Sequence, residues 1–164
     1  MSMSKQATPQ LKTVSTQGQW EGGYRTALQV RQFSAFYTAE PEKIGGDNSA
    51  PTPMEYVLAS FNGCIAIVIE MVARELSFDL QGMQLKAEGY IDQRGLLGTA
   101  DVSPHFQEVH SFINFRTPEG PERLEELKAQ VLRRCPAYNL LKDAGIPIHL
   151  HWTLNAGEEP GREQ

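Results

Sequence analysis

The sequence predicts an α+β fold with antiparallel strands arranged around one long, buried helix. Three observations carry this expectation. Residues before 40 and after 80 alternate as strands do, a capped apolar run fills the interval 52–76, and an amphipathic helical pattern recurs between 121 and 144.

In chain order, residues 11–20 and 25–33 read as the two arms of a hairpin turned at Gly22-Gly23. Residues 32–38 continue as extended chain. The stretch 40–52 (EPEKIGGDNSAPT) is rich in turn formers and must end before a helix. That helix starts with Thr52 as N-cap, Pro53 at the first helical position and Glu55 at the third, a capping-box arrangement. Beyond its first turn it is apolar nearly all round, with Val57, Leu58, Phe61, Ile65, Ile67, Val68, Met71 and Val72. Such a helix is buried on most faces, and one short chain struggles to cover it.

Residues 80–91 alternate again, with Leu85, Ala87, Gly89 and Ile91 opposed to Gln84, Lys86 and Glu88. Residues 106–117 form a further strand. From 121 to 134, Leu124, Leu127, Val131 and Leu132 fall at helical spacing, with acids early and bases late to suit the helix dipole. A short helix follows over 136–144, stopped by Gly145. The last strand, 146–154, sets Ile146, Ile148, Leu150, Trp152 and Leu154 against His149, His151 and Thr153. Residues 11–155 thus make a single domain, between a polar arm (1–10) and a Glu/Pro/Gly tail (156–164), both expected to be disordered.

The chain of 164 residues is long enough for one sizeable core. Its net charge of −5 argues against a surface that tracks phosphates, so nucleic acid is not an expected partner. The polar start does not read as an export signal. The most apolar stretch, 64–73, is interrupted by Glu70 and falls short of the ~20 residues that span a bilayer. A cytoplasmic protein without membrane contact is the expectation.

Two cysteines lie far apart in this sequence, and a reducing compartment keeps such thiols free. They are either inert core residues or a redox pair. Cys64 sits within the apolar helix, where a small buried residue is the simpler reading. Cys135 immediately precedes Pro136 and therefore caps the short helix, where unpaired amides favour a thiolate. Arg133 and Arg134 add positive charge nearby.

Three segments, two of them long, carry a resemblance. IGGDNSAPTPMEYVLASFNGC (44–64) is similar to the Gly-Gly loop, proline, acidic residue and cysteine helix of the OsmC/Ohr family. RRCPAYNLLKDAGIPIHLHW (133–152) resembles that family's Cys-Pro helix and last strand, and Trp20-Glu21-Gly22 its first strand. The resemblance covers about 20–154. It implies an intertwined homodimer whose sheets wrap two cysteine helices, which would answer the covering problem posed by the apolar helix. It also implies a thiol peroxidase, in which Cys64 attacks an organic hydroperoxide and becomes a sulfenic acid. Cys135 then closes a disulfide, and an external dithiol, typically lipoyl-bearing, reduces it. No cofactor is implied.

The family further implies an activating arginine from the first strands, oriented by a glutamate at the start of the cysteine helix. A cation is needed because apolar surroundings disfavour a thiolate. Arg25 is the first choice here and Arg31 its competitor. Glu55 departs from the pattern by one residue, since the peroxidases place the glutamate where this chain has Met54. Nine residues at about 100° each put Glu55 and Cys64 on opposite sides of one helix, ~13.5 Å apart along its axis. Glu55 therefore either serves a site assembled with another segment or subunit, or only caps its helix.

His149-x-His151 raises a zinc site, but no close cysteine pair accompanies it. No metal is expected, and two surface-strand histidines are the preferred reading. The rival function is an OsmC-like dimer that binds an apolar small molecule or lipid without turnover. The Glu55 shift favours that rival. The retained cysteine pair favours the enzyme, because a pure binder needs neither thiol.

Overall fold

The computed structural model describes residues 10–156. The arm and tail expected at 1–10 and 156–164 lie, apart from Gln10 and Ala156, outside the described residues. The chain divides after Pro53 into two compact units.

The first unit holds a three-stranded sheet of β1 (Gln17–Gly22), β2 (Arg25–Gln29) and β3 (Phe36–Thr38), in that order and antiparallel throughout. Gly22 and Gly23 turn the hairpin at φ 108° and 52°, a left-handed path that glycine follows without steric cost. The hairpin is shorter than the alternation suggested. β2 stops at Gln29, and a turn closed by the Phe33 amide on the Val30 carbonyl (3.2 Å) separates it from β3. The loop that follows contains one 3₁₀ turn, Glu42–Ile44. Gly46 lies so close to the Glu40 backbone that a Cβ there would fall 1.8 Å from the Glu40 carbonyl oxygen. That gives Gly46 a physical reason, and Gly45 has its own in a left-handed φ of 97°.

The helix α1 (Pro53–Glu75) leads into the second unit. There follow β4 (Gly82–Ile91), a short helix α2 (Gln93–Leu97), β5 (Phe106–Arg116), α3 (Pro121–Arg134), α4 (Pro136–Asp143) and β6 (Ile148–Leu154). The mixed α+β class stands, with two three-stranded sheets and four helices among the described residues. Antiparallel pairing holds for β4–β5, whereas β6 runs parallel to β5. The reason is the connection: α3 and α4 carry the chain back to the end where β5 began, as a parallel crossover requires. Sequence reading missed α2. Its signal is local, with the Asp92 side chain accepting from the Arg94 amide and Gly98 closing the turn at φ 66°. Hydrogen bonds from Arg94 hold the Asp92 carboxyl down to about 2.

One hydrophobic core joins these elements apart from α2, which buries no residue. α1 contributes Phe61, Ile65, Val68, Ile69 and Val72, β5 contributes Val109, Ile113 and Phe115, and α3 contributes Leu124, Leu127 and Val131. Each large side chain sealed there contributes roughly 1.5–3 kcal/mol. α1 corrects one expectation: over its 23 residues it is long and apolar enough to cross a membrane by length and composition. Its inner stripe belongs to the core, but Ile67 and Met71 remain 64% and 48% exposed.

Candidate active site

The second unit brings the two cysteines together. Cys64 comes from the middle of α1, half-buried against the core, and Cys135 comes from the junction of α3 and α4, fully buried within it. Their sulfur atoms lie 3.8 Å apart, with the Cys135 thiol donating toward the Cys64 sulfur. A disulfide requires ~2.05 Å, so closure needs an approach of under ~2 Å, within reach of side-chain rotation. Sequence separation alone could not establish this, since the thiols are 71 positions apart in the chain.

The α3–α4 corner is held by backbone and amide contacts. The Cys135 amide donates to the Val131 carbonyl at 2.8 Å, ending α3, while its extended backbone caps α4. Asn139 Nδ2 donates to the carbonyls of Leu132 and Cys135, both at 2.9 Å. Asn139 thereby fixes the peptide that carries the buried thiol. Nothing in the helical pattern of 136–144 distinguished it from a surface polar residue.

The capping position does not favour a Cys135 thiolate as expected. Burial pushes this thiol up to about 11. The amides of Tyr138 and Ala137 act in the opposite direction without offsetting it, and the charge of a Cys64 thiolate raises it further. Desolvation outweighs the helix end because the sulfur is sealed from water. Arg134 does not compensate either. It forms a two-point ion pair with Glu75, one contact at 2.9 Å, which ties the end of α3 to the end of α1. That hydrogen bonding holds the Glu75 carboxyl below its ordinary value. Arg133 is exposed.

Arg25 and Arg31 belong to the first unit. Arg25 Nε donates to Glu21 at 2.9 Å, Nη1 donates to Ser49 Oγ at 2.6 Å, and the guanidinium lies 4.2 Å from the Tyr37 ring centre. Ser49 in turn donates to Asp47, whose carboxyl these hydrogen bonds and, more weakly, Arg25 hold below its ordinary value. Glu21, unremarked in the sequence beyond its place in Trp-Glu-Gly, is the carboxylate that positions Arg25. Arg31 sits in the turn after β2 at φ 50°, exposed, with its guanidinium over Phe33. Glu55 lies in the first turn of α1, exposed, and the continuous helix keeps it nine residues from Cys64.

Two free sulfur atoms at this spacing, one sealed and one half-buried, can pass between dithiol and disulfide with little rearrangement of the backbone. For metal ligation, the described residues offer a separate group, Glu108, His110 and His149, on β5 and β6.

Comparison with known proteins agrees with this architecture. The sequence model of the family described as OsmC-like protein matches residues 46–151. No curated protein sequence matches significantly. Among solved structures, an OsmC-like protein of Mycoplasma pneumoniae is similar with a TM-score of 0.74 at 16% identity, over 87% of this chain and 97% of that one. An organic hydroperoxide resistance protein of Elizabethkingia anophelis gives 0.68 at 18% identity, over 92% and 100%. One from Legionella pneumophila, also described as an OsmC and a predicted redox protein, gives 0.64 at 17%, over 90% and 100%.

Proposed function

The chain belongs to the OsmC-like family, and from that membership together with its thiol pair we propose that it is a thiol-dependent peroxidase acting on organic hydroperoxides. The single observation that carries this reading is the 3.8 Å approach of Cys64 and Cys135. The names of the Elizabethkingia and Legionella proteins point the same way.

The Cys64 thiolate attacks the distal oxygen of ROOH. The O–O bond breaks, the sulfur becomes S–OH, and the alkoxide leaves to be protonated to ROH. Cys135 then attacks the Cys64 sulfur, forming the S–S bond as the S–O bond breaks, and the departing hydroxyl leaves as water with the Cys135 proton. An external dithiol, of the lipoyl type, reduces the disulfide and is itself oxidised. Burial keeps Cys135 largely protonated near neutral pH, which leaves first attack to Cys64. A cytoplasmic location is part of the proposal, because the pair must return to two thiols in each cycle.

We take Arg25 as the cation that favours attack, since three partners hold its guanidinium in place, and Arg31 as a turn residue. Arg25→Ala is then expected to slow oxidation of Cys64 much more at pH 6 than at pH 9, where an unassisted thiol already ionises in part. Arg31→Ala should leave the profile nearly unchanged. Stopped-flow rates across that pH range decide between them, and a defect confined to Arg31→Ala would reassign the activator.

The homodimer belongs to the same reading. Ile67 and Met71 leave an apolar strip on α1 that a second copy would cover. Light scattering at micromolar concentration is expected to give twice the chain mass. A folded monomer would remove the intertwined arrangement from the account.

The Glu55 position favours the second reading, a dimer that binds an apolar ligand without turnover. That reading predicts thiols that survive stoichiometric hydroperoxide unchanged. A steady-state assay with cumene hydroperoxide and dihydrolipoamide separates the two, turnover supporting the peroxidase and its absence the binder.

A further inference from the structure

The outward face of the second sheet carries a group of ligands that the thiol chemistry does not use. In the parallel register of β5 and β6, His110 lies opposite His149 and Phe112 opposite His151. Glu108 and His110, two apart on β5, therefore stand beside His149 and His151, two apart on β6. Neighbouring strands are ~4.8 Å apart, so side chains of this length converge above the sheet.

They do converge. His149 Nε2 is 3.3 Å from one Glu108 oxygen, and His110 Nε2 is 3.6 Å from the other. One ligand atom from each of the three residues can be chosen so that all lie within 4.8 Å of one another. A tetrahedral ion with bonds near 2.0–2.2 Å holds its ligands roughly 3.3–3.5 Å apart, so small side-chain rotations suffice.

A second observation concerns orientation. His110 Nδ1 lies 3.2 Å from His151 Nε2. With the proton on Nδ1 donated to His151, the lone pair of His110 Nε2 is left facing Glu108 and His149. Metal-binding histidines are commonly oriented through their other ring nitrogen in this way. The base beneath is rigid, since Val109 and Ser111, flanking His110 on β5, are fully buried. Glu88, opposite His110 on β4, is engaged by Lys86 at 2.7 Å and stands outside the set.

We propose that Glu108, His110 and His149 form a binding site for one divalent transition-metal ion, with His151 as the residue that positions His110. Two imidazoles and one carboxylate suit zinc, copper or nickel rather than magnesium or calcium. Such an ion would clamp the edge strand β6 to the central strand β5. His149-x-His151 was visible in the sequence, but its partners on β5 became evident only with the strand register.

The test is titration of zinc chloride into the full chain against a chromophoric chelator. One ion per chain is expected. His110→Ala, His149→Ala and the near-isosteric Glu108→Gln should each weaken binding at least tenfold, while His151→Ala should weaken it less. His105→Ala and Cys64→Ser should leave it within twofold of the parent. Far-UV circular dichroism checks the fold of each variant, and Glu108→Gln carries the test if a histidine variant unfolds. The proposal is overturned by the absence of saturable binding, by affinity unchanged in Glu108→Gln and the folded histidine variants, or by loss of the ion in Cys64→Ser, which would place it on the thiols.

Discussion

Cys64→Ser is expected to abolish peroxide consumption, with a loss on the order of a thousandfold or more in the rate of attack. The reason is electronic rather than structural. A sulfur atom can accept the distal oxygen by two-electron oxidation, whereas a serine hydroxyl has no comparable oxidised state. Cys64 is only half-buried, so exchanging sulfur for oxygen there should leave the core intact. Cys135 cannot substitute readily, because burial pushes its thiol up to about 11. Consumption of cumene hydroperoxide, followed by a coupled dithiol assay, reads the loss directly. Retained activity together with a dimedone adduct on Cys135 would reverse the two roles.

Cys135→Ser should behave differently, reacting once and stopping. The first attack depends on Cys64, so a single burst of one equivalent of peroxide per chain is expected, followed by arrest at a sulfenic acid. Dimedone should label Cys64 to near one adduct per chain, and excess peroxide should carry it on to the sulfinic acid. Cys135→Ala serves the same purpose without burying a hydroxyl. The parent protein should show the complementary pH dependence. Well below the raised Cys135 value the thiolate fraction grows about tenfold per pH unit, so disulfide closure should accelerate from pH 7 to 9. A closure rate that is flat over that range would mean that Cys135 does not attack as a thiolate.

Much of this arrangement was legible in the sequence because local rules governed it. α1, α3 and α4 begin at Pro53, Pro121 and Pro136, three prolines at the first helical position. β4 and β5 follow from alternation, and the quoted segments carried the family resemblance on their own. What could not be read was what depends on tertiary register. The parallel pairing of β6, the partnership of Glu21 with Arg25, the Arg134–Glu75 ion pair and the convergence of Glu108 with His110 and His149 are all set by packing. The Cys135 environment shows the same division. Its capping position was readable from Pro136, but the direction of its titration was decided by burial, a property of the assembled core.

The most direct test of the account is rapid mixing of the fully reduced protein with one equivalent of cumene hydroperoxide, with free thiols counted after the reaction. Both thiols per chain are expected to disappear and the chain mass to fall by two hydrogens, the mark of a Cys64–Cys135 disulfide. Faster reaction with cumene hydroperoxide than with hydrogen peroxide is also expected. Two thiols remaining after the peroxide has been offered, with no change in mass, would contradict the peroxidase reading.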